Sequence, residues 1–312
     1  MRIGLKRKRA GGERVWVAAF GKHPAWDDHF DSPGLDTSRL TQLRATLYSE
    51  GIGGSIDSGV WEQLDEQERI TDFAHTIVWR TMDGVIVARL DNSEDGKGRK
   101  RYPLVVCAHA RGTPMAWTCG PLVERVTRLA RTCAQVETRE GVLGEVELAR
   151  GELRAEAGLL EAGEDEAGAL NAAGTLAQRL GEEALVRVLY QCRREMRGFL
   201  RGGMVGDRST SRALDVSAKQ CRAPAGGRTP AEACALWLGV MGRLMGETIP
   251  VMVIVPDSLE MADVLVGEPE AKQFYCLRAG LGALPLASQV PYEIDEANRA
   301  WAGSVIRGEP VG

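Results

Sequence analysis

Apolar runs of strand length recur in the first third of the chain. Buried strands are predicted at Val15–Phe20 and Tyr102–Ala110, where apolar residues are nearly continuous. Between them, His75–Thr81 and Val85–Leu90 are separated by a Met-Asp-Gly turn, which predicts an antiparallel hairpin. Gly21 follows the first run and is expected to end its strand. The pattern predicts a mixed α/β unit that contains an antiparallel sheet.

Helical periodicity is found between these strands. Leu40, Leu43 and Leu47 share one face, which predicts a helix over Ser38–Glu50 with Gly51 just beyond its end. The other predictions for this part are a flexible connection at Gly51–Gly59, an exposed helix from Trp61 to about Ala74, and a helical region from Thr113 to about Glu137.

The second half begins with apolar residues at helical spacing, which predicts a helix at Leu176–Leu200. Thr229-Pro230-Ala231-Glu232 is a capping-box pattern and predicts the start of another helix. Further predictions are a Gly-rich loop at Arg201–Ser211, strands at Ala213–Ala218, Ile249–Val255 and Gln273–Arg278, and a helix from Asp257 to about Val266. This alternation predicts a second α/β or α+β unit.

Changes in composition divide the chain into four parts. Residues 1–14 are basic and predict a flexible tail, and residues 15–139 form the first α/β unit. The span Glu140–Ala167 holds nine acidic and two basic residues, which predicts an acidic linker or an exposed helix within residues 140–175. Residues 176–312 form the predicted second α/β unit.

Composition also narrows the class of protein. The 312 residues carry a formal net charge of −4, which argues against a protein built mainly to hold nucleic acid. The seven cysteines include no Cys-x-x-Cys pair and fit buried, reduced thiols better than a disulfide frame or a zinc ribbon. No apolar run approaches the roughly 20 residues of a membrane helix, and the basic start lacks the apolar segment of a secretory signal. These features predict a cytoplasmic protein without stable membrane insertion.

One loop has the composition of a metal site. His23, Asp27, Asp28 and His29 lie close together in the sequence, and imidazole with carboxylate suits zinc, manganese or iron. However, the two Asp residues are chain neighbours, and no His-Glu-x-x-His pattern is present. The alternative is that the Asp side chains hold the loop by accepting hydrogen bonds from backbone N–H groups. We predict no metal, with His23, Asp28 and His29 as the candidate ligands if one binds.

Sequence motifs for nucleotide binding and serine catalysis are absent. The Gly-Lys pairs at positions 21–22 and 96–97 lack the spacing of a phosphate-binding loop, and no Gly-x-Ser-x-Gly segment is present. We therefore predict no cofactor and no catalytic residue. For Arg99 we predict a bidentate ion pair with Asp28 or Asp91, which would tie the first loop to the third predicted strand of the first unit.

The loop after the first strand resembles the TagF/ImpM family, proteins that accompany type VI secretion systems. That family carries a Gly-Lys-x-Pro-x-x-Gly-Asp-Phe segment at this place. The chain matches the segment at Gly21, Lys22, Pro24 and Asp28. It departs at Asp27, where the family has Gly, and at His29, where the family has Phe, with Phe30 one place later.

A second stretch also resembles this family, which has a Trp before a hairpin and then a Ser/Asp-x-x-Gly-Arg-x-Tyr/Phe-Pro-Leu pattern. The similar residues here are Trp61, Asp95, Gly98, Arg99, Tyr102, Pro103 and Leu104. The loop carries an additional basic pair, Lys100-Arg101. The likeness covers about residues 15–110.

The resemblance implies a longin/profilin-like antiparallel sheet with flanking helices and no known catalytic activity. It implies a regulatory or assembly role through protein partners, such as a forkhead-associated scaffold or a secretion baseplate or sheath component. The residues expected to shape the loop are Gly21, Pro24 and Asp28. The residues expected to form either its recognition face or its internal brace are Lys22, Trp26 and Arg99.

Two alternatives remain open. Longin-like sheets are general docking modules, so the chain could instead be a scaffold for a GTPase or kinase signalling cluster. A metal-dependent enzyme would use His23, Asp28 and His29. Fold analogy alone does not decide among these functions.

Overall fold

One antiparallel sheet of eight strands organises the protein in the computed structural model, which describes residues 13–31, 34–160, 172–197, 199 and 217–309. In chain order the strands are β1 (Val15–Lys22), β2 (His29–Asp31), β3 (Ala74–Thr81), β4 (Gly84–Asp91), β5 (Leu104–Ala110), β6 (Lys219–Ala223), β7 (Val251–Pro256) and β8 (Ala262–Val266). Their order across the sheet is β2-β1-β5-β4-β3-β7-β8-β6. The predicted α+β class, an antiparallel sheet with flanking helices, is confirmed.

The apolar strand β5 lies between β1 and β4. All seven of its residues are buried, and Cys107 is opposite Ala18 on one side and Ala88 on the other. The predicted hairpin is also present, with Thr81 opposite Gly84 at the turn between β3 and β4. These strands were predictable because each is a local run of apolar residues bounded by turn or loop residues.

The second half of the chain continues the same sheet. β7 pairs with β3, with Trp79 opposite Met252, and β8 and β6 follow on its far side. Every residue of β7 is buried, and a position at the sheet edge would leave one side of its backbone without hydrogen-bond partners. The expected second α/β unit therefore adds three strands to one sheet rather than forming a sheet of its own.

Helices cover both faces of the sheet. The α-helices are α1 (Ser38–Leu43), α2 (Gly54–Ser58), α3 (Met115–Trp117), α4 (Val123–Gln135), α5 (Arg139–Leu159), α6 (Ala172–Leu180), α7 (Glu182–Glu195), α8 (Pro230–Met245) and α9 (Glu296–Arg307). Wider π-helical turns occupy Arg44–Gly53 and Thr118–Leu122, and 3-10 turns occupy Glu66–Glu68, Ala271–Leu277 and Ala287–Gln289. Within the described ranges, no helix has both the length and the apolar character needed to cross a membrane.

Two apolar cores result. The core on one face of the sheet contains residues of α1, of the first π-helical segment and of the 3-10 turn at Ala271–Leu277. The core on the other face contains residues of α4 to α9. The sheet is therefore covered on both faces, which agrees with the burial of β5 and β7 along their whole length.

Much of the acidic segment is helical and packs against β1. Val142, Val146 and Leu153 of α5 are buried, and the Arg150 Nη2 atom donates a hydrogen bond to the Val17 carbonyl at 3.1 Å. Of the two alternatives predicted for residues 140–175, the helix is therefore present over its first part, and one of its faces is buried. Residues 161–171 lie outside the described residues.

The prediction of a flexible connection at Gly51–Gly59 is wrong. The helix that begins at Ser38 continues through the π-helical segment and α2 to Ser58. Gly51 is buried against Phe274, where a Cβ atom would lie 2.8 Å from the Phe274 Cδ2 atom. The glycine therefore permits a close contact between elements that are distant in sequence.

The prediction of an exposed helix from Trp61 to about Ala74 is also wrong. This segment consists of turns around the 3-10 turn at Glu66–Glu68. Trp61 is buried, and its Nε1 atom donates a hydrogen bond to the Tyr275 carbonyl at 3.1 Å. Contacts with the C-terminal part of the chain thus replace the backbone hydrogen bonds of a helix.

Three predictions in the second half need correction. The predicted helix that ends near Val266 contains strand β8, which is held between β7 and β6. The predicted strand Gln273–Arg278 falls largely within a 3-10 turn. The predicted helix Leu176–Leu200 is interrupted at Gly181, whose φ of +87° separates α6 from α7.

Other predictions for the second half are confirmed or fall outside the described residues. The Thr229 side chain accepts a hydrogen bond from the Glu232 N–H group at 3.1 Å and begins α8 as predicted. The predicted strand Ile249–Val255 corresponds to β7. The predicted Gly-rich loop at Arg201–Ser211, the first four residues of the predicted strand Ala213–Ala218 and residues 1–12 of the basic tail lie outside the described residues.

A buried ion pair joins β6 to β8. The side chains of Arg222 and Asp263 are both 4% exposed, and they form two hydrogen bonds, with Nε to Oδ1 at 2.9 Å and Nη2 to Oδ2 at 2.7 Å. Arg222 also donates to the carbonyls of Cys276 and Ala279. The pair therefore fastens the segment after β8 to the sheet.

We expect Asp263→Ala to lower the free energy of unfolding by about 3–5 kcal/mol, because it leaves a buried guanidinium without its counter-charge. Urea denaturation of the purified chain measures this loss. Glu183→Ala is the control because Glu183 pairs with Arg299 in a half-exposed ion pair, and such pairs contribute little. Equal losses in the two variants would contradict the structural role assigned to Asp263.

Candidate functional site

The two segments singled out in the sequence meet at one end of the sheet. The loop after β1 and the loop between β4 and β5 come together around four charged side chains. These are Lys22, Asp28, Asp95 and Arg99, which we call the clasp.

β1 runs two residues further than predicted and delivers Lys22 to the clasp. Gly21 is opposite Phe30 of β2 and Leu104 of β5, so the strand does not end there. The φ of Gly21 is +115°, and a Cβ atom on it would lie 2.3 Å from the Pro103 carbonyl oxygen. The Lys22 N–H group donates to that same oxygen at 3.1 Å. Glycine at position 21 is thus what lets β1 pass close to the start of β5.

Lys22 is the buried cation of the clasp. Its side chain is 4% exposed, and its Nζ atom lies 2.6 Å from Asp28 Oδ1 and 2.7 Å from Asp95 Oδ2. A buried ammonium is stable only when it is paired and hydrogen-bonded. Of the two roles expected for Lys22, its burial favours the internal brace over the recognition face.

Asp95 is the acceptor shared by both loops. It accepts hydrogen bonds from Lys22 Nζ and Arg99 Nε, each at 2.7 Å. It also accepts the backbone N–H groups of Lys97 at 3.0 Å and Arg99 at 3.1 Å. Although burial by itself favours the neutral carboxyl, these hydrogen bonds, beginning with that from Lys22, hold the pKa of Asp95 well below its usual range. The carboxylate therefore stays ionised at neutral pH.

Arg99 closes the clasp from the solvent side. Its Nη2 atom lies 3.4 Å from Asp28 Oδ1 and donates to the Asp27 carbonyl at 2.8 Å. The predicted contact between Arg99 and Asp28 is confirmed, but the predicted bidentate geometry is wrong, because Arg99 Nε is taken by Asp95. Asp91, the other predicted partner, pairs instead with Arg89.

Asp28 is the exposed carboxylate of the clasp. The hydrogen bond from Lys22 and the one from the His29 backbone N–H group lower the pKa of Asp28 below its usual value. The sequence predicts one of two roles for this side chain, metal ligand or loop brace. The contacts of Asp28 with Lys22 and Arg99 favour the brace.

Glycines let the second loop fold tightly around Asp95. The Gly96 N–H group donates to the Trp26 carbonyl at 2.7 Å, which joins the two loops through their backbones. Gly98 has a φ of +74°, and its N–H group donates to the Asp95 carbonyl at 2.8 Å. The predicted motif residue Gly98 therefore supplies a left-handed turn that a side chain would disfavour.

An aromatic cluster lies beside the clasp. His29 Nδ1 is 2.8 Å from the Tyr48 hydroxyl oxygen, and the His29 ring meets the edge of Tyr102 at a centroid distance of 4.6 Å. Burial, followed by the positive charge of Lys22, lowers the pKa of His29. His29 and Tyr102 were predicted from the sequence, but Tyr48 was not, because nothing in its helical segment indicated a contact with the first loop.

His23 points away from the clasp. Its Nε2 atom is 2.8 Å from the Cys133 carbonyl, and its Nδ1 atom accepts the Ala25 N–H group at 3.1 Å. Burial lowers the pKa of His23 and favours the neutral ring. The predicted metal candidates His23, Asp28 and His29 therefore do not converge on one point. Across the described ranges, no three His, Cys, Asp or Glu side chains are grouped so that they could hold a metal ion.

Trp26 and Pro24 form the outer face of the first loop. Pro24 is exposed, and Trp26 is half-buried between two partners. One face of Trp26 stacks on Phe30 at a centroid distance of 4.3 Å, and Arg139 lies 5.7 Å from the ring centroid. Arg139 also donates to the Ala25 carbonyl at 2.8 Å. Arg139 was not predicted from the sequence; it is the first residue of α5, just before the acidic segment, and reaches the loop from there.

All seven cysteines are buried and free of disulfides, as predicted. Burial raises the pKa of Cys107 and of Cys133 to about 12, so these thiols are protonated at neutral pH. A protonated thiol is a poor nucleophile. The cysteines therefore serve as apolar residues of the core.

Comparison with known proteins identifies no family for this chain. No family model matches its sequence, and a search of curated proteins finds no match.

We expect Gly21→Ala to destabilise the fold by about 1–3 kcal/mol, because it imposes a positive φ on a residue with a Cβ atom and a clash with the Pro103 carbonyl. Gly54→Ala is the matched control, because Gly54 has a helical φ of −60° and open space around its Cβ position. The control should be neutral or slightly stabilising in thermal or urea denaturation. A neutral Gly21→Ala would contradict the close approach of β1 to β5.

We expect the free energy of unfolding of Asp95→Asn to fall less steeply than that of wild type as the pH is lowered into the acid range. Because the pKa of folded Asp95 is depressed, its ionised form stabilises the fold above about pH 4. That stabilisation is lost as the pH falls from there through the folded-state pKa. Urea denaturation at a series of pH values from about 7 to about 3 measures the difference between variant and wild type.

The control for this pH experiment is Asp36→Asn, an exposed carboxylate with no ion pair among the described residues. It should retain the wild-type profile. The role of Asp95 is contradicted if Asp95→Asn loses as much unfolding free energy as wild type does when the pH is lowered.

Proposed function

We propose that the chain is a non-enzymatic, cytoplasmic regulator or adaptor of a type VI-like secretion system that acts through protein contacts. The observation that carries this proposal is the clasp. It joins the two segments that resemble the TagF/ImpM family, through the residues in which the resemblance lies. Lys22 and Asp28 come from the first segment, and Asp95 and Arg99 come from the second.

The charged side chains of the clasp pair with one another. Lys22 is shared by two carboxylates, and Asp95 receives four hydrogen bonds. Such a network holds two loops in one geometry, and a surface that is ordered in advance loses less conformational entropy when a partner binds. This supports a docking role in which the clasp positions the surface that a partner contacts.

The loops held by the clasp carry an aromatic side chain on the first loop and basic side chains on the second. Trp26 is half-buried on the first loop, and the side chains of Lys100 and Arg101 on the second loop are 78% and 67% exposed. Their ion pairs with Glu94 and Glu62 lie in solvent, where such pairs are weak and can be exchanged for those of a partner. The exposed basic side chains suit a partner with acidic side chains, and we propose a forkhead-associated scaffold or a baseplate or sheath component.

We expect affinity capture with the full-length chain, in the organism that carries it, to recover secretion-system components. The double variant Lys100→Glu/Arg101→Glu should lose most of that recovery, because it reverses two exposed charges without touching the four clasp side chains. Quantitative mass spectrometry of the captured proteins makes the comparison.

Lys272→Glu is the control for the capture. The side chain of Lys272 is 70% exposed, which is comparable to the exposure of Lys100 and Arg101, but Lys272 lies after β8 and not on the clasp loops. It should recover the same components as wild type. The proposal fails if wild type recovers no secretion-system component, or if recovery is equal in all three proteins.

A further inference from the structure

The outer face of α5 carries apolar and small residues that no element of the described chain covers. While Val142, Val146 and Leu153 point into the core, a second row at spacings of four, three, four and four residues is exposed to solvent. We call this row the outer seam: Gly144, Leu148, Gly151, Ala155 and Leu159. A surface helix ordinarily has polar residues on the face opposite its core side.

The two leucines of the outer seam are unusually exposed. Leu148 is 59% and Leu159 is 85% exposed, and among the described residues only Met82 is a comparably exposed large apolar side chain. Two of these three residues therefore lie on one helix face. Clustered exposed apolar residues mark interaction surfaces, whereas single ones are normal.

A shallow groove of about 90 Å³ runs beside the seam between α4 and α5. Leu148 stands at its rim, and its floor includes Leu129 and Leu153. Its walls carry Arg128 on α4 and Glu145 on α5, neither of which has an ion pair within the described residues. This surface thus offers both signs of charge, so charged groups of one copy can pair with those of a second copy.

We infer that the outer seam is the contact of a homodimer, in which α5 packs antiparallel against α5 of a second copy. In a two-fold pairing, any contact between two positions occurs twice. With Leu148 opposite Gly151 of the second copy, Ala155 falls opposite Gly144, so a larger side chain meets a glycine in each of these layers, and Leu159 lies beyond them opposite Glu140. The glycines leave space for the leucine and let the two helix backbones approach.

On one side of the seam the charges fit the same register, whereas on the other side Glu145 faces Glu152 of the second copy beside Arg125 of α4. Glu147 and Arg154 lie seven residues apart along one side of the seam, so in the antiparallel pair each Glu147 faces Arg154 of the second copy. In the single chain Glu147 pairs with Arg150, and Arg154 pairs with Glu13. The Glu147 and Glu13 side chains are 64% and 52% exposed, so these pairs are weak enough to rearrange.

Sedimentation velocity of the full chain over a range of concentrations tests the dimer. We expect a monomer–dimer equilibrium whose dissociation constant rises about tenfold or more in Leu148→Glu, because the variant buries a charge in place of a leucine. Gly151→Leu should have a similar effect by filling the space that Leu148 occupies. In the single chain a Cβ atom at position 151 meets nothing within 4 Å, so this variant should fold normally.

Met82→Glu is the control, because Met82 is 72% exposed but lies in the β3–β4 turn. It should dimerise as wild type does. The inference is overturned if the wild-type chain stays monomeric at all concentrations, or if the dimer is unchanged by both seam variants. It is also overturned if Met82→Glu weakens the dimer as much as Leu148→Glu does.

A charge exchange tests the register. Glu147→Arg and Arg154→Glu should each weaken the homodimer, since each places like charges opposite one another. An equimolar mixture of the two variants should form a heterodimer, because every facing pair then has opposite signs. A mixture no more associated than its components would overturn the antiparallel register. Since none of these residues belongs to the clasp, the result is independent of the proposed adaptor function.

Discussion

The two loops at the clasp depend on the buried carboxylate of Asp95. A carboxylate removed from water is stable only when its charge is paired and its oxygens accept hydrogen bonds. Here Lys22 and Arg99 supply the charge, and two backbone N–H groups of the same loop supply the remaining donors. Lys22 is itself buried and uses Asp28 as its second partner. Each loop therefore requires the other to be in place.

This arrangement in turn depends on the sheet. The clasp receives Lys22 because β1 continues past Gly21 between β2 and β5, and that path exists only because residue 21 has no side chain. One face of α5 packs against β1, and the Arg150 side chain of α5 donates a hydrogen bond to the Val17 carbonyl. The start of α5 also reaches the first loop through Arg139. The clasp surface and the outer seam are thus presented by elements that pack on the same edge of one sheet.

The fold could be predicted from the sequence where a segment's own residues decide its structure. The hairpin of β3 and β4, the apolar strand β5 and the start of α8 at Thr229 were predicted correctly, because turn residues, apolar runs and a capping pattern act locally. The prediction failed where a distant partner decides. Gly51 continues a helix because Phe274 packs against it, and β8 is a strand because β6 and β7 flank it.

The same division applies to the candidate site. The sequence by itself placed Lys22, Asp28 and Arg99 in two loops and predicted that Arg99 would pair with Asp28 or Asp91, since opposite charges beside Gly and Pro residues indicate loops held by polar contacts. Only the tertiary structure decided that Asp95 is the shared acceptor, that Lys22 is an internal brace, and that His23 turns away toward the Cys133 carbonyl. The physical reason is that burial and hydrogen-bond partners are set by elements far apart in the chain, and no local pattern encodes them.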